Sequence, residues 1–278
     1  MELIVARNRE DLVKARAGGD VALVPTMGAL HEGHRSLIRE ARVRADQVVV
    51  SIFVNPLQFS PNEDFSRYPR TFDADLDVCR AEGVDVVFHP AVEDMYAPDR
   101  QVSLSAGRMG TIAEGAVRPG HFDGMLTVVL KLFNLVQPDM AIFGQKDAQQ
   151  LALIRRMVAD LDLPIEIVGA PTVREPDGLA LSSRNRYLSE DDRRVALALS
   201  RALRAGAAER TPSRIRAVAR AVLDAAGPEL DVDYLALVDP ATFDEVSESY
   251  EGEAVLAVAA RVGSTRLIDN VILTLNPA

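Results

Sequence analysis

Cysteine is almost missing from this sequence, since Cys79 is the only one in 278 residues. A lone cysteine excludes both an intrachain disulfide and a metal cluster held by several thiolates. Basic side chains are outnumbered too: 31 Lys and Arg stand against 41 Asp and Glu, and the formal net charge is −10. Because nucleic-acid binders need a basic face, this balance argues against nucleic acid as a partner. It still allows a small anionic ligand, which needs only a local positive pocket.

Long apolar runs are also absent. The most apolar windows are 47–54, which has the length of a strand, and 125–136, which contains Lys131 and Asn134. Neither could span a bilayer. The first seven residues lack a basic stretch followed by an apolar one, so we expect no signal peptide and no membrane partner, and we predict a cytoplasmic protein. Hydrophobic residues at 48% and charged residues at 26% are ordinary for a globular chain of one large or two medium domains.

Strand-like and helix-like patterns alternate over roughly the first 170 residues. Repeated β-α-β units predict an α/β fold, a Rossmann-like, doubly wound parallel sheet with helices on both faces. Its ligand should lie along the edge where the strands end, because right-handed crossovers align the strand C-termini. The predicted strands are 21–24, 47–54, 85–88, 140–143 and 165–168, and the predicted helices are 36–45, 72–82, 123–136 and 147–160.

The later chain follows a different pattern. Pro171, Pro176 and Gly178 punctuate the sequence, so we divide it into a domain over 1–174 and a smaller C-terminal α+β domain over 175–278. The second domain is predicted to contain helices over 189–208 and 212–226 and strands over 232–238, 254–262 and 267–275.

The segment 25–34 follows the first predicted strand and opens the next helix. A helix start is a natural anion site, because free N–H groups and the helix dipole both favour phosphate. Gly28 lets a ligand approach the backbone, and Gly33 lets the helix start close to the sheet. His31 and His34 are three residues apart, so both can project from the first turn and donate hydrogen bonds to phosphate oxygens.

A purely structural role for this histidine pair stays open. The sequence His-Glu-Gly-His lacks the spacing of a zinc-binding His-Glu-x-x-His pair, and we predict no protein-held metal. A histidine at a helix start is commonly a capping or solvated group. Half of the four histidines nonetheless fall within these four residues, behind a strand and beside glycines. Their clustering favours a functional role.

Polar side chains also follow two other predicted strands. Asn55 and Gln58 carry amides that can bind hydroxyl and carboxylate groups, although an Asn-Pro turn explains Asn55 equally well. Lys146 could neutralise phosphate, while Asp147 could bind a ribose hydroxyl or cap the helix. Gln150 lies three residues beyond Asp147, so both can face one crevice.

Two loops complete the candidate set. The loop 181–186 offers two hydroxyls and two guanidinium groups that suit phosphate, and Arg118 lies in the long connection 98–124. Solvated charges on hinge loops would explain both without a ligand. Three segments at strand ends of one sheet and a fourth at its exit together favour an active site.

These segments carry a resemblance to a known family. The sequence His31-Glu32-Gly33-His34 resembles the HxGH form of the signature of the nucleotidylyltransferase superfamily, and the loop from Leu181 lies where those proteins carry their KMSKS-type loop. More narrowly, five segments resemble, in order, those of the pantothenate synthetase (pantoate–β-alanine ligase) family. They are VPTMGALHEGH (24–34), SIFVNPLQF (51–59), RPGHFDG (118–124), FGQKDAQQL (143–151) and PTVREPDGLALSSRNRYL (171–188).

The resemblance implies a role for each matching residue. His34 would be the proton donor to the phosphates, with His31 and Lys146 as further catalytic groups. Gln58 and Gln150 would bind pantoate, Gln58 next to β-alanine. Asn55 would complete the substrate-binding set, with Arg118 as a neighbour of the same site. The ATP-binding set would be Met27, Gly28, Ala29, Leu30, His31, Glu32, Gly33, His34, Gly144, Gln145, Lys146, Asp147, Val173, Leu181, Ser182, Ser183 and Arg184.

The resemblance also implies a reaction. Pantoate would attack ATP to give pantoyl adenylate and pyrophosphate, and β-alanine would then displace AMP to form pantothenate, a coenzyme A precursor. Mg²⁺ would be bound mainly through the ATP phosphates, the C-terminal domain would close over the site, and the protein would be a homodimer. Gln145 departs from the family pattern, in which we expect glutamate more often, but Lys146 and Asp147 are both present.

Three other functions remain as alternatives. A nucleotidyltransferase would leave a nucleotide on a stable product. A nucleotide sensor without catalysis is disfavoured because all the candidate catalytic groups are present. A protein like an aminoacyl-tRNA synthetase is disfavoured by the acidic charge and by the absence of a tRNA-binding appendage.

Overall fold

The computed structural model describes residues 2–60 and 65–276. The chain divides into two compact units. The first comprises residues 1–111, 118–144 and 153–170, and the second comprises 112–117, 145–152 and 171–278. The long C-terminal stretch of the second unit therefore starts close to the prolines and glycine that punctuate the sequence.

A six-stranded, entirely parallel sheet forms the centre of the first unit. Every residue of its third strand is buried, as expected for a continuous β-branched run covered on both faces. The strands are β1 (Ile4–Ala6), β2 (Val21–Thr26), β3 (Gln47–Ile52), β4 (Val86–Phe88), β5 (Met140–Gly144) and β6 (Glu166–Ala170). They lie in the spatial order β1-β4-β3-β2-β5-β6, so the chain places β3 and β4 on one side of β2 and then β5 and β6 on the other. The ends of β2 and β5 therefore flank the position where such sheets bind ligands.

Helices follow most of these strands, which confirms the predicted Rossmann-like fold. On α2, Leu37, Ile38 and Ala41 form the buried stripe against the sheet. The pattern of β1 is too short to predict, since a three-residue strand has almost no periodicity. The helices in this part of the chain are α1 (Arg9–Ala15), α2 (Glu32–Arg44), α3 (Phe72–Ala81), α4 (Val92–Met95), α5 (Glu114–Val117), α6 (His121–Val136) and α7 (Ala148–Asp160).

The C-terminal part of the second unit packs two helices and an antiparallel sheet around a core of its own. Ser189 caps the first helix and accepts from the backbone N–H of Asp192, as the sequence signal predicts. The elements are α8 (Glu190–Ala207), α9 (Pro212–Asp224), β7 (Leu230–Val238), β8 (Gly252–Val262) and β9 (Thr265–Leu275). This arrangement confirms the predicted α+β architecture. In the described part of the chain, no helix is long and apolar enough to cross a membrane.

Candidate active site

The chain turns sharply where β2 ends. Thr26 donates its hydroxyl to the carbonyl of Ser51 at 2.7 Å and accepts from the backbone N–H of Gly28 at 3.1 Å. Gly28 and Ala29 then adopt left-handed conformations, with φ of +81° and +51°. A Cβ at Gly28 would lie 2.9 Å from a carboxylate oxygen of Asp75 and 3.1 Å from Ile52. Glycine is therefore required here by both backbone conformation and space.

Asp75 holds this turn, and the sequence motifs do not reveal it. Its two carboxylate oxygens accept from the backbone N–H groups of Ala29 at 3.0 Å and Leu30 at 2.8 Å, and the residue is 2% exposed. A signal was available, because Asp75 shares the inward face of α3 with Leu76 and Cys79. A carboxylate on such an apolar stripe needs partners in the interior.

His31 and His34 form the cap of α2. The Nδ1 atom of His31 accepts from the backbone N–H of Gly33 at 3.1 Å, and that of His34 accepts from the N–H of His31 at 3.3 Å. Because each Nδ1 accepts a hydrogen bond, the proton of each neutral imidazole lies on Nε2. The ring centroids are 4.1 Å apart. The capping hydrogen bonds thus use the Nδ1 atom of each ring.

Asn55 lies inside the protein, beneath the 3₁₀ turn Pro56–Gln58. Its side-chain oxygen accepts from the hydroxyl of Tyr96 at 2.8 Å and the N–H of Leu57 at 3.2 Å. Its Nδ2 donates to Gln58 Oε1 at 3.0 Å and to the carbonyl of Gly124 at 3.1 Å. These four bonds use the full capacity of the Asn55 amide within the protein.

Arg118 and His121 hold the backbone of Gln58. The carbonyl of Gln58 accepts from Nδ1 of His121 at 2.8 Å, so the other nitrogen, Nε2, can accept from Arg118 at 3.0 Å. The Gln58 amide nitrogen in turn donates to the sulfur of Met27 at 3.2 Å. The first unit thus brings together the predicted residues that follow β2 and β3, together with Arg118.

In the second unit, the turn that follows β5 is fixed by a residue from the C-terminal strand. Asn270 donates through Nδ2 to the carbonyls of both Gln145, at 2.9 Å, and Lys146, at 2.8 Å. The carbonyl of Asp147 accepts the first hydrogen bond of α7, so Asp147 stands at the start of that helix. Lys146 is half-buried and Asp147 is exposed.

The segment from Val173 to Arg184 folds back on itself within the same unit. Leu181 donates its N–H to the carbonyl of Val173 at 3.0 Å. Ser182 caps the following 3₁₀ turn, accepting from the N–H of Arg184 at 3.2 Å. Asn185 ties the turn to Ala180 at 3.1 Å. The predicted phosphate-binding hydroxyls thus lie on a segment that is hydrogen-bonded at several points.

Comparison with known proteins finds, along almost the whole chain, the family that the five sequence segments resemble. A family model described as pantoate-beta-alanine ligase matches residues 4–272. A pantothenate synthetase of Thermobifida fusca (strain YX) is 62% identical over 285 residues, covering 98% of this chain and 96% of that protein. A second one, from Acidothermus cellulolyticus, is 61% identical over 276 residues, covering 96% of this chain and 90% of its own length.

Solved structures agree with the fold. The crystal structure of pantothenate synthetase from Thermus thermophilus matches with a TM-score of 0.92 at 46% identity, covering 96% of this chain and 98% of that one. The pantoate-beta-alanine ligase of Francisella tularensis, solved in complex with beta-gamma ATP and beta-alanine, matches with a TM-score of 0.79 at 34% identity and covers 98% of each chain.

Proposed function

The chain belongs to the pantoate–β-alanine ligase family and is an amide-forming ligase, and we propose that it joins pantoate to β-alanine through a pantoyl-adenylate intermediate. The observation that carries the proposal is the capped histidine pair at the end of β2, in a chain that matches the family from residue 4 to residue 272. This pair carries its imidazole protons on Nε2, the nitrogen that can donate to phosphate oxygen.

The chemistry requires an activated carboxylate, because a free carboxylate does not acylate an amine at neutral pH. The pantoate carboxylate attacks the α-phosphorus of ATP, and the bond to pyrophosphate breaks. The amine of β-alanine then attacks the acyl carbon of the adenylate, AMP leaves, and the amine loses a proton. The protein aligns the reactants and stabilises negative charge as it develops on the departing groups.

We assign the phosphate chemistry to His34, His31 and Lys146. An Nε2–H group on each histidine and the ammonium of Lys146 would stabilise the leaving pyrophosphate, with His34 donating a hydrogen bond to a phosphate oxygen and keeping its proton. Gln58 and Gln150 would bind pantoate. The residues that we propose for ATP binding are Met27 to His34, Gly144 to Asp147, Val173, and Leu181 to Arg184.

ATP would bring Mg²⁺ with it, and the ion would supply positive charge that offsets the charge of the phosphates. Within residues 2–60 and 65–276, no group of three or more His, Cys, Asp or Glu side chains is arranged to hold a metal ion. We further propose that the enzyme is a homodimer and that it is cytoplasmic. Sedimentation of the purified chain tests the dimer directly.

The decisive experiment is exchange of labelled pyrophosphate into ATP without β-alanine. We expect exchange that depends on pantoate, tested against a panel of other hydroxy acids. A reversible adenylate requires this exchange, so its absence with pantoate would overturn the mechanism. Full turnover should release AMP and pyrophosphate only when pantoate and an amine are both present.

Two variants test the assigned groups. His34→Ala removes one imidazole, and Lys146→Ala removes the ammonium group. Each variant should slow pyrophosphate exchange by about 100-fold or more and still show a cooperative unfolding transition. Lys14→Ala, which removes an exposed lysine on α1, is the matched control and should exchange at the wild-type rate. Near-normal exchange in both test variants would remove these residues from the mechanism.

A further inference from the structure

Tyr96 is a buried residue that no motif of the sequence contains. It follows the short helix α4 and is 8% exposed. Its hydroxyl donates to the side-chain oxygen of Asn55 at 2.8 Å. Burial raises the pKa of Tyr96, so the phenol keeps its proton and remains a donor.

The N–H of Leu57 and the carbonyl of Gly124 fix which way the Asn55 amide faces, and the hydroxyl of Tyr96 anchors the amide by donating to its oxygen. If Asn55 were flipped, its NH₂ would face the N–H of Leu57, and its oxygen would face the carbonyl of Gly124. Both contacts would pair like with like, whereas the observed orientation satisfies all four positions. The Asn55 oxygen therefore accepts, and its nitrogen donates.

The orientation of Asn55 dictates that of Gln58. Because Nδ2 of Asn55 donates at 3.0 Å, the atom of Gln58 that faces it must be the acceptor Oε1. The Gln58 NH₂ group then points away from Asn55, with one contact to the sulfur of Met27. On the side away from Asn55, the Gln58 amide thus presents its N–H donors rather than its oxygen.

The backbone around the side-chain amides of Asn55 and Gln58 is also held in place. Helix α6 packs directly on the 3₁₀ turn Pro56–Gln58, since a Cβ at Gly124 would lie 2.0 Å from the carbonyl oxygen of Leu57. The carbonyl of Gln58 is bonded to His121 at 2.8 Å. With the backbone held in this way, the hydrogen bond from Asn55 Nδ2 opposes a flip of the Gln58 amide.

From this geometry we infer that Tyr96 is a positioning residue: with Asn55 it holds the Gln58 amide with its N–H groups toward the ligand, which selects an oxygen acceptor such as a carboxylate or hydroxyl. The inference rests on the proposed function, in which Gln58 binds pantoate. It changes the role expected for Asn55 from direct substrate contact to orientation of the residue that makes it.

Tyr96→Phe tests this role with little disturbance of packing. The ring would keep its neighbour Phe53, 6.1 Å away between centroids, while Asn55 would lose one donor. In pantoate-dependent pyrophosphate exchange by the full chain, we expect the KM for pantoate to rise about 5- to 20-fold, with the KM for ATP within about twofold. Tyr250→Phe, which removes an exposed hydroxyl bonded to the carbonyl of Glu253 at 2.9 Å, is the control and should change neither KM.

Asn55→Asp is the stronger variant. A carboxylate oxygen in place of Nδ2 would repel the acceptor Oε1 of Gln58, and the amide would turn its oxygen toward the ligand. We expect the KM for pantoate to rise further than in Tyr96→Phe, again with a smaller change for ATP. Thermal unfolding of both variants reports their folding separately.

The outcomes separate this inference from the function on which it rests. Wild-type enzyme without pantoate-dependent exchange would overturn the proposed function itself. Active wild-type enzyme together with an unchanged KM for pantoate in Tyr96→Phe would overturn only the role of Tyr96. An equal rise of both KM values, in step with a lower unfolding temperature, would show a merely structural tyrosine and would also overturn it.

Discussion

Asp75 holds the backbone N–H of Leu30 at 2.8 Å from one of its carboxylate oxygens. The other oxygen holds the N–H of Ala29, so two consecutive amides of the turn after β2 point inward. The turn leads directly into His31, the cap of α2. The position of the histidine pair therefore depends on a carboxylate from a different helix, α3.

Asp75→Asn should weaken this turn. The substitution keeps the shape of the side chain but places an NH₂ group against a backbone N–H, so one hydrogen bond is replaced by a repulsive contact. We expect the free energy of unfolding to fall by about 1.5–3 kcal/mol, the range for hydrogen bonds to charged groups, and pyrophosphate exchange to slow. Urea denaturation and the exchange assay measure the two effects.

The control for Asp75→Asn is Asp73→Asn, an exposed acid in the first turn of the same helix. It should cost less than about 1 kcal/mol, because it loses only a screened interaction with the helix dipole. Equal stability of the Asp75 variant and wild type would show that the two amides do not need the carboxylate.

Gly28→Ala should be destabilising for two independent reasons. The backbone φ of +81° disfavours any side chain, and the new methyl group would lie 2.9 Å from a buried oxygen of Asp75. We expect a loss of about 1–3 kcal/mol in the free energy of unfolding. Gly18→Ala is the matched control, because a Cβ there meets nothing within 4 Å; if both variants unfold at the same urea concentration, the strain argument is wrong.

The sheet could be predicted from the sequence because each central strand carries its own signal. The run 47–52 is continuous and β-branched, and its burial on both faces follows from that pattern. The three residues of β1 carry no comparable signal. The motif 25–34 could be proposed as an anion site from the sequence because its residues are consecutive.

The residues that hydrogen-bond the backbone of the candidate site could not be predicted in the same way. Asp75 meets Leu30 across 45 positions of the chain, and Asn270 meets Gln145 across 125. Local periodicity contains no information on such pairs, because they exist only once the chain has folded. Polarity gave the one usable hint, since Asp75 interrupts the apolar stripe of α3.

Cys79 should be unreactive in the folded protein. It is fully buried, and burial, reinforced by the charge of Asp75, raises the pKa of its thiol to about 12. Because the unfolded thiol has a pKa of about 8.5, its proton is bound more tightly in the folded state. The contribution of the thiol to the free energy of unfolding is fully present below a pH of about 8.5, and it is lost as the pH rises from there toward the pKa of the folded state.

Alkylation with iodoacetamide at a pH of about 8 measures this directly. We expect mass spectrometry to find no adduct on the native chain and one adduct per chain in urea, since the sequence has a single cysteine. Labelling of the native protein at the rate of a small free thiol would show that this part of α3 opens readily.

Asn270→Ala should affect ATP more than pantoate. The side chain donates to the carbonyls of Gln145 and Lys146, and its loss would free the turn that presents Lys146 to the proposed phosphates. We expect the free energy of unfolding to fall by about 1–3 kcal/mol, because two part-buried carbonyls lose their donor. The KM for ATP in pyrophosphate exchange should rise about tenfold, with the KM for pantoate nearly unchanged, since Gln58 is held by other contacts. The control is Thr274→Ala, at an exposed position on the same strand, which should leave both KM values at those of the wild type. If Asn270→Ala lowers the stability but leaves the KM for ATP unchanged, the turn positions Lys146 without this amide.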